Sequence, residues 1–207
     1  MKKKFLTSFF VGMLFMLSGC AFGPRMVAKD YSLPPTSGNG ILLLSFSYDA
    51  ADEKAMSILM RPWINIEPVI EANDNFAARY KKAGATPNNT LDAQGAILDN
   101  KRVYLRADEW PAGRYLVTPQ VIVNSGSIVR TYSFDPKKVT VVGGKIVYAG
   151  NFHYSGLKSK SNFLTGLKMD ADCKVHVADE FLRDKELFLS KVSTVSGNEI
   201  IKDIQNP

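Results

Sequence analysis

The chain has only two histidines, and both lie near groups with which they could do chemistry. His176 closes "CKVH" with Cys173, a spacing that a thiol–imidazole pair or a metal site would use. In an extended strand, however, successive side chains point to opposite faces. Cys173, Val175 and Val177 then share one face while Asp170, Asp172, Lys174 and His176 share the other, which predicts an inert buried thiol and a solvent-facing imidazole. Asp170, Asp172 and His176, spaced by two, offer donors to a divalent cation if a further ligand comes from elsewhere. His153 lies in "NFHYSG", two residues before Ser155, but a serine nucleophile needs an orienting acid and an oxyanion hole, and nothing in the sequence marks either. No G-x-S-x-G, H-E-x-x-H, phosphate-loop or dinucleotide-binding pattern occurs. Catalysis, a resident metal and a cofactor are all unexpected.

Two further groups have binding chemistry. Trp63, Trp110, Tyr104, Tyr115, Tyr132 and Tyr148 would stack on sugars if they lined one exposed face, although a domain of this size is expected to use most of them as core. Lys158, Lys160 and Lys168 flank Phe163 and Leu164 in a Lys/Ser/Gly-rich loop that would suit anionic headgroups, with a solvated loop as the plainer expectation.

The elements that must position these residues are mostly strands. "GILLLSFSYD" alternates, with Leu44, Phe46 and Tyr48 on a buried face and Ser45 and Ser47 opposite. The stretch 50–70 carries Pro62 and Pro68 and reads as strand broken by turns, with Asp52-Glu53 able to start a short helix. Residues 71–94 suggest a brief helix ending near Gly84, then a polar loop. From Val103 to Tyr154, apolar alternating runs are separated by "PAG", "NSG", "DPKK" and "GG". Pro111 with Gly113 suits a type I turn, and Gly143-Gly144 suits a two-residue hairpin, so successive antiparallel hairpins are predicted. "DEFLRDKELFLSKV" reads as an amphipathic helix with Asp179 as N-cap and Phe181, Leu182, Phe188, Leu189 and Val192 on its apolar face. The tail adds Ile200, Ile201 and Ile204 as a docked segment.

"PAGRYLV" and "VTVVGGKIVYAG" resemble strand-turn phrases of prealbumin-like and carboxypeptidase-regulatory-like domains. The expected fold is therefore mainly β, an antiparallel β-sandwich of immunoglobulin or prealbumin type spanning 40–207, with one C-terminal amphipathic helix. No chemistry follows from that resemblance.

The N-terminus states where such a domain works. "MKKK" precedes thirteen uncharged residues, Phe5 to Leu17, the basic and apolar regions of an export signal. As a helix that run covers roughly 20 Å, too little for a bilayer core of about 30 Å. It ends in Leu17-Ser18-Gly19-Cys20, which resembles the lipobox of bacterial lipoprotein precursors. The resemblance implies a signal peptide over 1–19, cleavage between Gly19 and Cys20, and diacylglycerol on the Cys20 sulfur, with a third acyl chain on the freed amine in many bacteria. Two or three chains hold firmly where one does not. In that family Asp after the cysteine favours the inner membrane; Ala21 implies the outer membrane, facing the periplasm. Residues 20–39, with three prolines and no period, read as the lipidated cysteine and a flexible tether.

Taking residues 1–19 from 207 leaves 188, enough for one domain with a real core. The same cut removes three lysines and no acid, lowering the formal charge from +6 to +3, an ordinary surface that gives nucleic-acid binding no support. With Cys20 lipidated, Cys173 has no partner for a disulfide. The sequence thus predicts a lipid-anchored envelope protein serving as a non-catalytic binding or structural module. A carbohydrate- or cell-wall-binding lipoprotein and a hydrolase with an unrecognised site are the alternatives.

Overall fold

The computed structural model describes residues 25–54, 60–69, 83–85, 91, 95–124, 129–157, 159–162, 166–169, 172–195 and 198–204. Its strands in chain order are β1 (Arg25–Met26), β2 (Asn39–Asp49), β3 (Met60–Pro68), β4 (Ala83–Ala85), β5 (Ala96–Leu98), β6 (Lys101–Pro111), β7 (Gly113–Asn124), β8 (Val129–Ser133), β9 (Lys137–Val141), β10 (Ile146–Ser155), β11 (Ser159–Asn162), β12 (Gly166–Met169), β13 (Lys174–Ala178) and β14 (Ile200–Lys202), and its one α-helix is α1 (Phe181–Lys191). Among the described residues the protein is mainly β, with two principal sheets and one α-helix.

The first sheet runs β1-β6-β2-β10-β13, with β5 also on β6 and β14 also on β10; the second runs β4-β3-β7-β8, with β9 also on β7. One apolar cluster joins them, with Leu42, Leu44, Phe46, Phe152 and Tyr154 from the first facing Ile64, Ile66, Tyr115, Val117 and Val121 from the second. A second cluster covers the first sheet's other face, where Phe188 and Val192 pack with Val27, Tyr31, Leu33, Ile41, Leu43 and Tyr148. β2 is consequently buried on both faces, whereas its alternation alone predicts one wet face.

Several expectations change. The sheet is mixed: β10 runs parallel to β2 and to β14, because the chain enters β10 from the same pole of the sheet at which β2 starts. The turns at 111–113 and 142–145 are not hairpins. β6 and β10 belong to the first sheet and β7 and β9 to the second, so both turns carry the chain between sheets. Of the two glycines only Gly144 has positive φ, +70°, and a Cβ there would lie 2.0 Å from the Pro35 carbonyl oxygen. The two-residue turn geometry occurs instead at Asp99 and Asn100, φ 50° and 61°, between β5 and β6.

The stretch expected as tether is part of the fold from Arg25 onward. β1 pairs with β6, and Val27, Tyr31 and Leu33 are buried, since the apolar side chains among the prolines find a greasy sheet face to cover. Cys20 and Gly19 lie outside the described residues. Residues 50–54 form a 3-10 turn, and 60–68 a strand. Pro62 and Pro68 sit beyond the three positions that β4 covers, Ile64 to Ile66, so their missing N–H groups interrupt no ladder there. Ala83–Ala85 is a strand rather than a helix end; the remainder of the helix predicted over 71–94 lies outside the described residues. In α1, Leu182 points to solvent and Asp184 is buried in its place. Glu180 occupies the N-cap position without a side-chain bond, while the Asp179 carboxylate accepts from the Phe181 N–H at 3.2 Å.

One irregularity decides which residues of β10 meet. Between Tyr148 and Asn151 the register with β2 slips: Tyr148 faces Leu43 and Asn151 faces Ser45, three residues against two. Gly150, φ +109°, absorbs the extra residue. The bulge reverses the alternation, so Tyr148, Asn151 and His153 all emerge on the helix side. Gly150→Ala is expected to lower stability by about 1–3 kcal/mol, as a left-handed backbone and a Cβ contact at Val177 demand. Leu182→Ala should stay within about 0.5 kcal/mol. Urea unfolding of both variants checks the pair.

Candidate functional site

Beneath α1 the first sheet carries a file of polar residues instead of apolar ones. Ser45 and Ser47 come from β2, Tyr148, Asn151 and His153 from β10, and Asp184 from the helix; all are buried. The Asp184 Oδ2 accepts from the Ser45 hydroxyl at 2.5 Å and the Tyr148 hydroxyl at 2.6 Å. Its Oδ1 accepts from Arg183 Nε at 2.9 Å and Nη2 at 2.8 Å. Every hydrogen-bond partner is a donor, so the pocket is built for the ionised carboxylate. Burial still pushes the Asp184 carboxyl above its ordinary range, while Ser45, Tyr148 and Arg183 pull it back. Tyr148 is held neutral, its pKa raised by burial and then by the neighbouring carboxylate.

The charge at Asp184 orients everything behind it. Because Ser45 gives its proton to Asp184, it accepts from Asn151 Nδ2 at 2.6 Å. Asn151 Oδ1 then accepts from the Ser47 hydroxyl at 2.9 Å. Ser47 has one proton and has spent it, so its 2.9 Å contact with His153 Nδ1 requires the imidazole to donate. His153 is thereby fixed as the Nδ1–H tautomer, with its Nε2 lone pair toward Asp49 Oδ1 at 3.6 Å. On the other side stands His176, directly opposite His153 across the β10–β13 pair, with ring centroids 4.9 Å apart at 62°. Burial lowers the His153 pKa below its ordinary value, Lys101 and His176 lower it further, and Asp49 and Glu180 oppose them.

A second buried ion pair lies between the sheets, Arg106 Nε to Asp108 Oδ2 at 2.5 Å. Burial raises the Asp108 carboxyl and Arg106 draws it down. Lys137 also points inward, its pKa lowered by burial against the opposing charge of Asp203. All three groups are buried.

The alternation read across 173–177 holds. Cys173 is buried, its thiol pushed up to about 11 by burial, while Lys174 and His176 are exposed. Asp172 lies in an exposed turn and Asp170 outside the described residues. Among the described residues no group of three or more His, Cys, Asp and Glu is gathered to hold a metal ion. His153 takes Ser47, not Ser155, as its hydroxyl partner. Of the proposed sugar platform, Trp110, Tyr104, Tyr115 and Tyr148 are buried and Trp63 and Tyr132 half-buried. Of the lysine-rich loop only the backbone hairpin β11–β12 is described; Lys158, Phe163 and Leu164 lie outside the described residues.

Sequence reasoning missed Asp184, although its position in the series Phe181, Asp184, Phe188, Val192 follows the spacing of a buried helix stripe. It also missed the meeting of the two histidines, which depends on the bulge. Chemically, Ser47 is sealed under the helix with its proton committed, so it is no nucleophile here. The reactive atom of the arrangement is His153 Nε2. No family model matches the chain, and comparison with curated proteins and with solved structures found no match.

An unfolded histidine titrates near pH 6.5, at about its ordinary value, and in the folded protein His153 titrates lower. As pH falls through about 6.5 the unfolded chain takes up a proton that the folded site refuses, so stability falls until the folded imidazole also protonates. Asp184 and Asp108, with raised values, act with the opposite sign as they protonate. Urea denaturation across this range should show a stability loss toward acid in the wild type, and a shallower one in His153→Gln.

Proposed function

We propose that the chain is a lipoprotein of the cell envelope, anchored through acyl chains on Cys20, whose folded domain is a non-catalytic binding or structural module of immunoglobulin- or prealbumin-like sandwich type. The observation that carries the reading is the sequence of basic start, thirteen-residue apolar run and Leu17-Ser18-Gly19-Cys20. Among the described residues no helix is long and apolar enough to cross a membrane, and lipid would supply the anchorage. Two sheets enclosing a common core support the sandwich; the parallel β2–β10 pair is a departure from an all-antiparallel version of it.

The anchor would hold the domain close. Arg25 pairs with Glu109, so four residues, 21–24, separate the cysteine from the first strand, a span under about 20 Å even when extended. β1 runs antiparallel to β6, and the chain therefore leads back toward the Pro111 end of β6. Asp49, His153 and His176 lie toward the other end, where Asp49 faces Lys101, and would look away from the membrane. Ala21 favours the outer membrane with the domain in the periplasm.

Intact mass of the membrane-extracted protein, with inner and outer membranes separated, tests the proposal. The expected mass is that of residues 20–207 plus acyl chains, found in the outer-membrane fraction and lost in Cys20→Ser. An unmodified mass in the soluble fraction overturns it.

A further inference from the structure

We propose that His153 and His176 form a two-imidazole binding site for a divalent ion of the copper–nickel–zinc group. They are the only imidazoles in the chain, they come from different strands, and the β10–β13 register sets them directly opposite one another. Ring centroids 4.9 Å apart place both nitrogen donors within reach of one ion after a rotation of the exposed His176 side chain. Imidazole suits these borderline ions better than it suits calcium or magnesium.

The interior prepares one of the two ligands. A metal-binding histidine usually donates its other ring N–H to a fixed acceptor, which sets the tautomer and the ring plane. His153 does so through Nδ1 to Ser47, backed by Asn151, Ser45 and the Asp184 carboxylate. Its Nε2 is left as a lone pair at the outer end of that file. There it faces Asp49 Oδ1 at 3.6 Å, lone pair against carboxylate. Two electron-rich atoms held that close are stabilised by a positive charge placed near both. Asp49 is about half exposed, at 49% of its side chain, and lends its negative charge beside the site. The nearby charges are mixed, with Asp49 and Glu180 favouring a cation and Lys101 opposing it. Two protein nitrogens leave the remaining coordination positions to water, an exchangeable site rather than a closed structural one.

The test is titration of the full chain, in detergent, with Cu2+ alone, followed by electron paramagnetic resonance. One ion per chain with hyperfine structure from two imidazole nitrogens is the expected result. His176→Asn, which alters an exposed side chain and leaves the buried file intact, should weaken binding at least about tenfold and reduce the pattern to one nitrogen. His153→Gln together with His176→Asn should abolish it. Binding that persists unchanged in the double variant, a wild-type spectrum with a single nitrogen, or the absence of a one-to-one site each overturns the proposal.

Discussion

A single carboxylate under a helix governs the helix side of this molecule. Asp184 is fully buried, and a charge in that position is tolerated only because Ser45, Tyr148 and Arg183 donate to it together. Those donors come from β2, β10 and the helix itself, so satisfying the charge means docking α1 at one position on the sheet. Phe188 and Val192, one and two turns further along the same stripe, supply apolar contact, but apolar contact alone leaves a helix free to slide or rotate by a residue. The hydrogen-bonded acid removes that freedom. Its charge also propagates, through a file of groups each with one way left to donate, to the imidazole at the sheet's far end.

The rest of the architecture holds that file in line. β2 must be buried on both faces to present Ser45 and Ser47 inward to the helix while Leu44 and Phe46 fill the core between the sheets. β10 must shift phase, and Gly150 lets it do so where Val177 leaves no room for a side chain. Short strands finish the sheet: β1 and β5 share one edge of β6, and β13 and β14 share one edge of β10. Such short, broken edges limit strand addition by other chains, and one of them brings His176 to His153.

What the sequence made legible follows from how local each signal is. The alternation at 42–48 and 173–177 is a property of consecutive residues, and the faces it assigns to Leu44, Phe46, Cys173 and His176 are those of the structure. The helix over 181–191 was legible in the same way, apart from Leu182 and Asp184. Partners across sheets were not. "PAG" and "GG" announce that the chain reverses, but not whether the flanking strands pair, and here each turn crosses from one sheet to the other. Simple alternation along "KIVYAGNFHY" groups Tyr148 with Phe152 and Tyr154. Only the backbone at Gly150 regroups it with Asn151 and His153. Val27, Tyr31 and Leu33 lie too irregularly among prolines to show a period, so their burial depends on a sheet face that no local pattern reveals.

The central claim is that the charge of Asp184 sets the tautomer of His153 from four side chains away. A long-range proton–nitrogen NMR spectrum of the two imidazoles, recorded above the histidine titration range, reads this directly. The account predicts His153 as a single Nδ1–H tautomer with a proton slow to exchange, beside a solvent-averaged His176. A His153 in the Nε2–H form, or averaging between both, would contradict it.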